Sequence, residues 1–455
     1  MKKRLLPGLI ALLAAQAAHS TDLIESYERA LSYDSGIAAA LATLEAQEAG
    51  SDVTRSALLP RIGAFAQANH TDFEPDNGQG DSYRALNYGV QLTQPLFRAD
   101  AWFQYDASQF LTEAAQAQYN LAQQQLILDV ATAYFNVLRA QDFLTTAEAT
   151  EAAIQRQYEQ AQERFDVGLI AITEVYEARA SYDDAKSQRI AANNDLNVAR
   201  EQLARLTGEY AEDLENLRQN FPLARPEPMN PSAWENTALE QNWSIQAALF
   251  QLKASEADLK VAKAGHLPTL DLVASYGEND LSGANNFQRQ QTGTQGVIGL
   301  ELNVPLYMGG GTQAGVRQQR SLVTVAEQDL NTVRRDVRVN ARSLFLTVNN
   351  NIESASALEQ TIISRRSALD ATRAGYEVGT RNIVEVLDAE RAYYVALRDY
   401  ANARYDYVIN TLQLKQSAGT LSPQDLIELN NWLSESAPGI EALAEEDKVL
   451  DDPTQ

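Results

Sequence analysis

Apolar and polar residues alternate strictly along several short stretches of the chain, with the two-residue period of a β-strand. In residues 86–93, for example, every second residue is leucine, tyrosine or valine, and the residues between them are mostly polar. Residues 75–80, rich in glycine and also containing proline, aspartate and asparagine, supply a turn before this stretch. Four such stretches predict four strands in two hairpins, at 60–97 and 267–307.

A longer pattern follows each hairpin. Apolar residues recur at seven-residue spacing, as in Leu121, Leu128 and Phe135, among many alanines and glutamines. This pattern predicts pairs of coiled-coil helices over 99–207 and 312–418, each pair broken once by a turn. The first helix of each pair would have roughly 65 residues and, at about 1.5 Å per residue, a length of about 100 Å. Helices of that length project as coiled coils, because ordinary globular helices are much shorter.

Both patterns occur twice because the sequence itself repeats. Val167-Gly168 aligns with Val378-Gly379 at an offset of 211 residues, and Leu59-Pro60 aligns with Leu267-Pro268 at an offset of 208. The small drift between these offsets indicates few insertions between the copies, so the chain is predicted to carry an internal structural repeat. The predicted divisions are a first repeat at 21–220, a proline-rich linker at 221–232, and a second repeat at 233–433; each repeat starts with a helix, and the second ends with a short helix at 423–433.

The two ends of the chain have compositions of their own. Residues 1–20 have a basic start, an apolar run and small residues near Ser20, which together predict a secretory signal peptide. Residues 434–455 are acidic and are predicted to be a disordered tail. The mature protein is therefore expected to be exported.

Composition excludes several classes of function. The formal charge of −24, from 37 basic and 61 acidic residues, argues against nucleic acid as a partner. The absence of cysteine removes disulfides, thiolate metal sites and a cysteine nucleophile. Three scattered histidines suggest no triad and no metal site, and the glycines at 309–311 are not followed by the lysine of a phosphate-binding loop. We therefore expect no metal, no cofactor and no enzyme activity.

The predicted strands are long enough to cross a membrane. Each has about 10–13 residues, and a transmembrane barrel strand needs roughly 9–11. No later stretch of the sequence approaches the roughly 20 apolar residues of a membrane helix. Four strands cannot close a barrel, however, because small membrane barrels need about eight. If these strands span a membrane, several copies of the chain must complete the barrel; an ordinary half-buried sheet is the alternative.

The turn between the helices of each pair carries the candidate chemistry. Gly168 and Gly379 follow the long helices and are predicted to close their C-termini, while Thr173 and Asn382 are predicted to begin the return helices. Asn382 and Glu385 fit a capping box. Glu385 and Asp388 are three residues apart and share a helix face, so several copies arranged around an axis would gather these carboxylates together. Each residue also has a simpler interpretation: Glu385 as a cap only, Asp388 and Arg404 on solvated faces, and Tyr376 in packing.

Several motifs in the second half carry a family resemblance. They are Gly-Tyr-x-Val-Gly-Thr-Arg at 375–381, Val-x-Val-Leu-Asp-Ala at 384–389, Ala-Arg-Tyr at 403–405, His-Leu-Pro-Thr-Leu at 266–270 and Pro-Leu-Tyr at 305–307. Together they resemble the TolC family of outer-membrane efflux and secretion channels, over nearly the whole mature chain. The resemblance implies a mainly α protein with four β-strands per chain, in which a homotrimer forms a 12-stranded outer-membrane β-barrel continuous with a 12-helix periplasmic coiled-coil barrel.

The resemblance also implies a function and a set of sites. Such a duct lies in outer-membrane lipid and works with a periplasmic adaptor (membrane fusion) protein and an inner-membrane RND or ABC transporter, in multidrug efflux or type I secretion. Matched by position, the acidic rings of the periplasmic entrance are Glu385 and Asp388, and the gate-closing residues are Tyr376, Arg381, Arg404 and Glu174. The passage would open as the helices untwist around the tip turns at Gly168 and Gly379. Glutamate stands at 385 and 174 where the family pattern has aspartate, which lengthens the reach of each carboxylate by one methylene.

Two other classes of function compete with the duct. A soluble periplasmic coiled-coil scaffold would account for the long helices and the signal peptide without a membrane. A glycosidase with paired carboxylates is disfavoured, because two carboxylates three residues apart on one exposed helix have no substrate cleft between them. Fractionation separates the first alternative from the duct, since a scaffold would remain in the aqueous fraction.

Overall fold

The computed structural model describes residues 21–73, 81–211, 213–282 and 292–434. The predicted signal peptide at 1–20, the predicted hairpin turn at 75–80 and nearly all of the predicted tail lie outside these ranges. Ser434 is described, and it belongs to a two-residue strand and not to the tail. The helices are α1 (Leu23–Tyr33), α2 (Ser35–Arg55), α3 (Ala99–Asp166), α4 (Ile172–Thr207), α5 (Pro231–Gln241), α6 (Trp243–Ala264), α7 (Gly311–Glu377), α8 (Ile383–Ser417) and α9 (Pro423–Asn430). The strands are β1 (Arg61–Phe73), β2 (Asp81–Phe97), β3 (Asn216–Leu217), β4 (Thr269–Ser282), β5 (Gly293–Asn303) and β6 (Leu433–Ser434).

The predicted fold class is confirmed: the chain is mainly helical and has two long hairpins. Two predicted helices are interrupted, however. The helix before β1 is broken at Asp34, whose carboxylate accepts the backbone N–H of Ile37 at 3.0 Å, and the helix before β4 is broken at Asn242, whose side chain caps α6. A side-chain oxygen that captures a free N–H starts a new helix, and the apolar period continues across such a break.

The chain forms two compact units. One takes in Met1–Ile37, Gln123–Ala238 and Asn340–Gln455, and the other takes in Ala38–Ala122 and Leu239–Val339. Each unit draws segments from both halves of the sequence, so the division into repeats stays a prediction about internal similarity. No helix in the described ranges combines the length and the apolar composition that a membrane crossing requires.

The second unit contains a four-stranded antiparallel sheet in the order β1-β2-β4-β5. Its register aligns the alternating residues of the sequence across all four strands. Ile62 pairs with Leu92, Leu92 with Ala274, and Ala274 with Ile298, so one face of the sheet carries an apolar row. β1 and β5 are the outer strands, and β5 is exposed along its whole length.

A pair of glycines leaves no room for a side chain where β2 and β4 pair. Gly89 and Gly277 are partners in the register. A Cβ atom on Gly89 would lie 2.6 Å from the backbone oxygen of Tyr276, and one on Gly277 would lie 2.8 Å from the backbone oxygen of Tyr88. The absence of a side chain at both positions therefore permits the contact that joins the two hairpins.

The first unit is held together around aromatic side chains of α3. Tyr134 and Phe135 are fully buried. The Tyr134 hydroxyl lies 2.9 Å from the backbone oxygen of Glu215 and 3.2 Å from that of Thr21, so it ties the start of the described chain to the segment after α4. The short strands β3 and β6, which the sequence did not predict, pair in the same unit.

Candidate functional site

Two helix turns in the first unit, one between α3 and α4 and one between α7 and α8, have the same backbone structure. Gly168 and Gly379 both have φ of +78°, the left-handed region that glycine adopts without strain. The N–H of Gly168 donates to Phe165 and that of Leu169 to Arg164; the N–H of Gly379 donates to Tyr376 and that of Thr380 to Gly375. This pair of bonds is a Schellman motif, so both tip glycines close their helices as predicted.

The two return helices begin differently. α8 begins with the predicted capping box, in which the Asn382 side chain accepts the N–H of Glu385 at 3.0 Å. The prediction that Thr173 begins α4 is wrong: α4 begins at Ile172, and its N-cap residue, Ala171, has no side chain that could accept a hydrogen bond. The start of α4 therefore has backbone hydrogen bonds alone.

This difference gives a paired prediction. Replacing Asn382→Ala should destabilise the start of α8 by about 1 kcal/mol, because the N–H of Glu385 loses its acceptor. The substitution Thr173→Ala should lower the stability of the start of α4 by much less, since Thr173 is exposed and lies inside the first turn, after the N-cap residue. Hydrogen exchange of the first-turn amides in the intact protein measures the stability of both helix starts. Equal effects of the two substitutions would contradict the conclusion that only α8 has a side-chain cap.

An apolar cluster joins the two turns. Its buried members come from all four helices: Ile154, Ala161, Ala178, Ala185, Tyr376, Ile383, Val386 and Leu387. Tyr158 and Tyr182 stack beside it with ring centroids 6.2 Å apart. The Arg164 guanidinium lies 4.5 Å from the centre of the Tyr376 ring, a cation–π contact. The two helix pairs thus converge on one packed cluster.

Tyr376 is both a packing residue and an unusual one. Its ring is buried in the cluster, which agrees with the simpler interpretation of this residue. Its hydroxyl is also buried, and it has no hydrogen-bond partner within the part of the chain that the structure describes. A buried hydroxyl without a hydrogen-bond partner lowers the stability of the fold by about 1–3 kcal/mol. The Tyr376 hydroxyl is therefore a local weak point of the cluster.

The acidic residues of α8 lie outside the cluster. Glu385 is half-buried and Asp388 is exposed, while Ile383, Val386 and Leu387 turn inward. Arg381 pairs with Glu385 at 2.5 Å across one helical turn. The hydrogen bond from Arg381 holds the pKa of Glu385 below its ordinary value. Glu385 is therefore both a cap residue and the partner of a charged neighbour.

Within one chain, Arg404 does not join the other predicted gate residues. It lies 21 residues after the start of α8, about 30 Å along the helix at about 1.5 Å per residue, whereas Glu174 is in the first turn of α4. The Arg404 side chain is buried and donates a hydrogen bond to the backbone oxygen of Arg218. The simpler interpretation of Arg404, that it lies on a solvated face, is wrong, because position 404 falls on the apolar stripe of α8.

Several polar side chains lie close to Arg404. The Tyr405 hydroxyl donates a hydrogen bond to Asp142 at 2.7 Å. Burial raises the pKa of Asp142 to about 6, although this bond and the positive charge of Arg404 both lower it. Arg139 pairs with Asp406 at 2.5 Å nearby. These contacts bind α3 to α8 well away from the tip turns.

A buried ion pair that the sequence motifs did not reveal lies close to the second turn. Glu390 is 1% exposed and pairs with Arg373 of α7, which is 42% exposed. Glu390 is seven residues after Ile383 and four after Val386, so the helical period alone places it on the buried face of α8. The sequence therefore contained a signal that Glu390 is buried, but no pattern in it showed that Arg373, across the turn, is its partner. In the described ranges no group of three histidines or carboxylates could hold a metal ion.

Comparison with known proteins identifies the family. A sequence profile of the family described as "Outer membrane efflux protein" matches residues 26–209 and 234–420. The outer membrane protein TolC of Escherichia coli is 37% identical over 95% of this chain and 90% of its own length. The chain belongs to the outer membrane efflux protein family.

A more distant relative agrees with this assignment, and a solved structure has the same fold. The alkaline protease secretion protein AprF of Pseudomonas aeruginosa is 28% identical over 95% of this chain and 91% of its own length. The crystal structure of the Campylobacter jejuni CmeC outer membrane channel superposes with a TM-score of 0.77, at 18% identity, over 91% of this chain and 90% of that one.

The family assignment decides between the duct and the scaffold. The chain is an outer-membrane exit duct of the kind used in efflux and type I secretion, with a helical periplasmic extension, and not a soluble scaffold. The family consists of transport proteins without enzyme activity, and its members form trimers.

Proposed function

We propose that three copies of this chain form one duct whose periplasmic entrance is the set of tip turns, and that Glu385 and Asp388 form its acidic rings. The observation that carries the proposal is the single apolar cluster that joins both turns, with these two carboxylates left outside it. Three-fold symmetry would place six carboxylates near one axis. Like charges in that arrangement attract cations.

The gate is proposed to close through contacts near the tips. Tyr376 would take part from inside the cluster, where its buried ring lies against the Arg164 guanidinium. Arg381, exposed beside Glu385, and Glu174, in the first turn of α4, are close enough to the tips to take part. Arg404 would act higher in the coiled coil, where it holds the segment after α4. Opening would then loosen the tip contacts around Gly168 and Gly379 while the Arg404 contacts persist.

The proposed partners are a periplasmic adaptor and an inner-membrane transporter of the RND or ABC class. Three large apolar side chains at the turns, Val167, Leu169 and Val378, are exposed in the single chain. Exposed apolar residues at a helix tip favour contact with another protein, because their burial is favourable by roughly 1.5–3 kcal/mol each. The duct itself would be passive, and the transporter would supply the energy.

Replacing Glu385 and Asp388 together with alanine tests the entrance. The double variant should weaken block of single-channel current by divalent cations by about tenfold or more, because several charge contacts of about 1 kcal/mol are lost. The matched control is Asp329→Ala with Asp336→Ala, which removes the same charge from exposed positions in the first half of α7, outside the unit that holds the turn. Unchanged block in the first variant, or equal loss in both, would remove these residues from the entrance.

A further inference from the structure

The outer strands of the sheet determine which ends of two copies meet. All neighbouring strands are antiparallel, so β1 and β5 run in opposite directions. If β5 of one copy pairs with β1 of the next, as the proposed trimer requires, the two strands are again antiparallel. The end of β5 then lies beside the start of β1, and the residues that follow β5 face those that precede β1.

The residues after β5 are strongly apolar and uncovered. Leu306 is 92% exposed and Tyr307 is 83% exposed, and Met308 beside them is also exposed. Gly309 and Gly310 have φ of +63° and +82° and turn the chain into α7 immediately afterwards. We call residues 304–308 the junction segment. Its position is fixed by the strand on one side and by the glycine turn on the other.

A cleft lies where β2 passes into α3, beside Leu58, three residues before β1 begins. It has a volume of about 460 Å³ and is lined mainly by apolar side chains, among them Leu58, Leu96, Trp102 and Phe103. We call it the junction cleft. Trp102 is 58% exposed in the single chain, so one wall of the cleft is incomplete.

The wall of the cleft is built to keep its shape. Arg98, which lines it, donates two hydrogen bonds to the carboxylate of Asp271, at 3.1 and 2.7 Å. Asp271 is itself buried. The bidentate pair fixes the point where the register shifts between Pro95 and Phe97. A fixed concave wall favours a side chain of defined shape over mobile lipid chains.

We propose that the junction segment of one copy packs into the junction cleft of the next copy, with Leu306 and Tyr307 filling the gap beside Trp102. This inference rests on the proposed trimer and adds to it a side-chain contact that would help select the partner edge. Closing the sheet by backbone bonds alone would leave both apolar surfaces uncovered at the same end of the strands.

The test is a cross-link between copies, for which the absence of native cysteine supplies a clean background. Leu58→Cys and Leu306→Cys are combined in one chain and oxidised, and also treated with a short bismaleimide, which accepts a wider separation than the roughly 4.4–6.8 Å between Cα atoms in a disulfide. The expected result is a covalent ladder ending at the trimer in heated denaturing gels, formed by most of the protein.

Controls separate this inference from the proposed function. Each single cysteine should give monomer or a trace of dimer, and Leu306→Cys combined with Met229→Cys, at an exposed linker position, should do the same. The mass of the detergent-extracted wild-type protein reports the trimer independently. A trimer that gives no ladder above the controls overturns the inference alone, since the segment then faces lipid or solvent; the absence of any trimer overturns the proposed function.

Discussion

The substitution Arg373→Met is expected to lower the free energy of local unfolding at the start of α8 by about 3 kcal/mol, the lower end of the range for breaking a buried ion pair. The reason is that Glu390, 1% exposed, would keep a buried charge without a partner. The lower end applies because Arg373 is 42% exposed and leaves a path for water. Amides in the first turns of α8 should exchange roughly 100-fold faster in the intact protein.

Two further variants show whether burial is the cause. Arg373→Met with Glu390→Leu should recover most of the lost protection, because a well-packed apolar pair can replace a buried ion pair at little cost. Arg179→Met breaks a pair with Asp183 in which both side chains are largely exposed and 4.0 Å apart, and it should cost less than about 0.5 kcal/mol. If the double variant is as unstable as Arg373→Met alone, the unpaired buried charge of Glu390 is not the cause of the instability.

Gly89→Ala is expected to prevent most of the protein from assembling into a heat-resistant membrane form. The new Cβ would lie 2.6 Å from the Tyr276 oxygen and 2.7 Å from the Gly277 Cα, and both are backbone atoms that cannot rotate away. Overpacking of this kind costs about 1–3 kcal/mol or more, here at the contact that joins the two hairpins. The yield of heat-resistant oligomer in the outer-membrane fraction measures the effect.

Two other strand glycines supply the comparison for Gly89. At Gly63 in β1 and Gly299 in β5, no neighbouring atom of the described chain lies within 4 Å of the point that a Cβ would occupy, so an alanine at either position fits within its own chain. Normal yield for Gly89→Ala would mean that the strands can separate to admit a methyl group. Low yield for all three variants would point to strand flexibility and not to the close approach.

Much of the fold follows from periodicity, which the sequence displays directly. The alternating segments became β1, β2, β4 and β5, and the glycine after each long helix became a left-handed cap. The breaks at Asp34 and Asn242 were less visible, because a cap interrupts hydrogen bonding without interrupting the apolar stripe. The Gly89–Gly277 contact depends on the register between two hairpins far apart in sequence, which no local pattern specifies.

The candidate site was predictable in part. The capping box at Asn382 and Glu385 is local, and its spacing identifies it. Arg404 and Glu390 were misjudged or missed because charged residues on long helices usually face water, although both fall on the buried stripe of α8. The roles of Glu385, Asp388 and Tyr376 at an entrance depend on how copies of the chain meet, and they stay predictions.

The unequal starts of α4 and α8 bear on the order of motion at the entrance. Asn382 and Glu385 fasten the first turn of α8, whereas Ile172 follows an alanine that fastens nothing. We therefore expect thermal fraying to begin at the start of α4 before it reaches the start of α8. In a three-fold assembly, three α3–α4 pairs would alternate with three α7–α8 pairs. The aperture would widen first at the α3–α4 pairs, whose return helices have the weaker start.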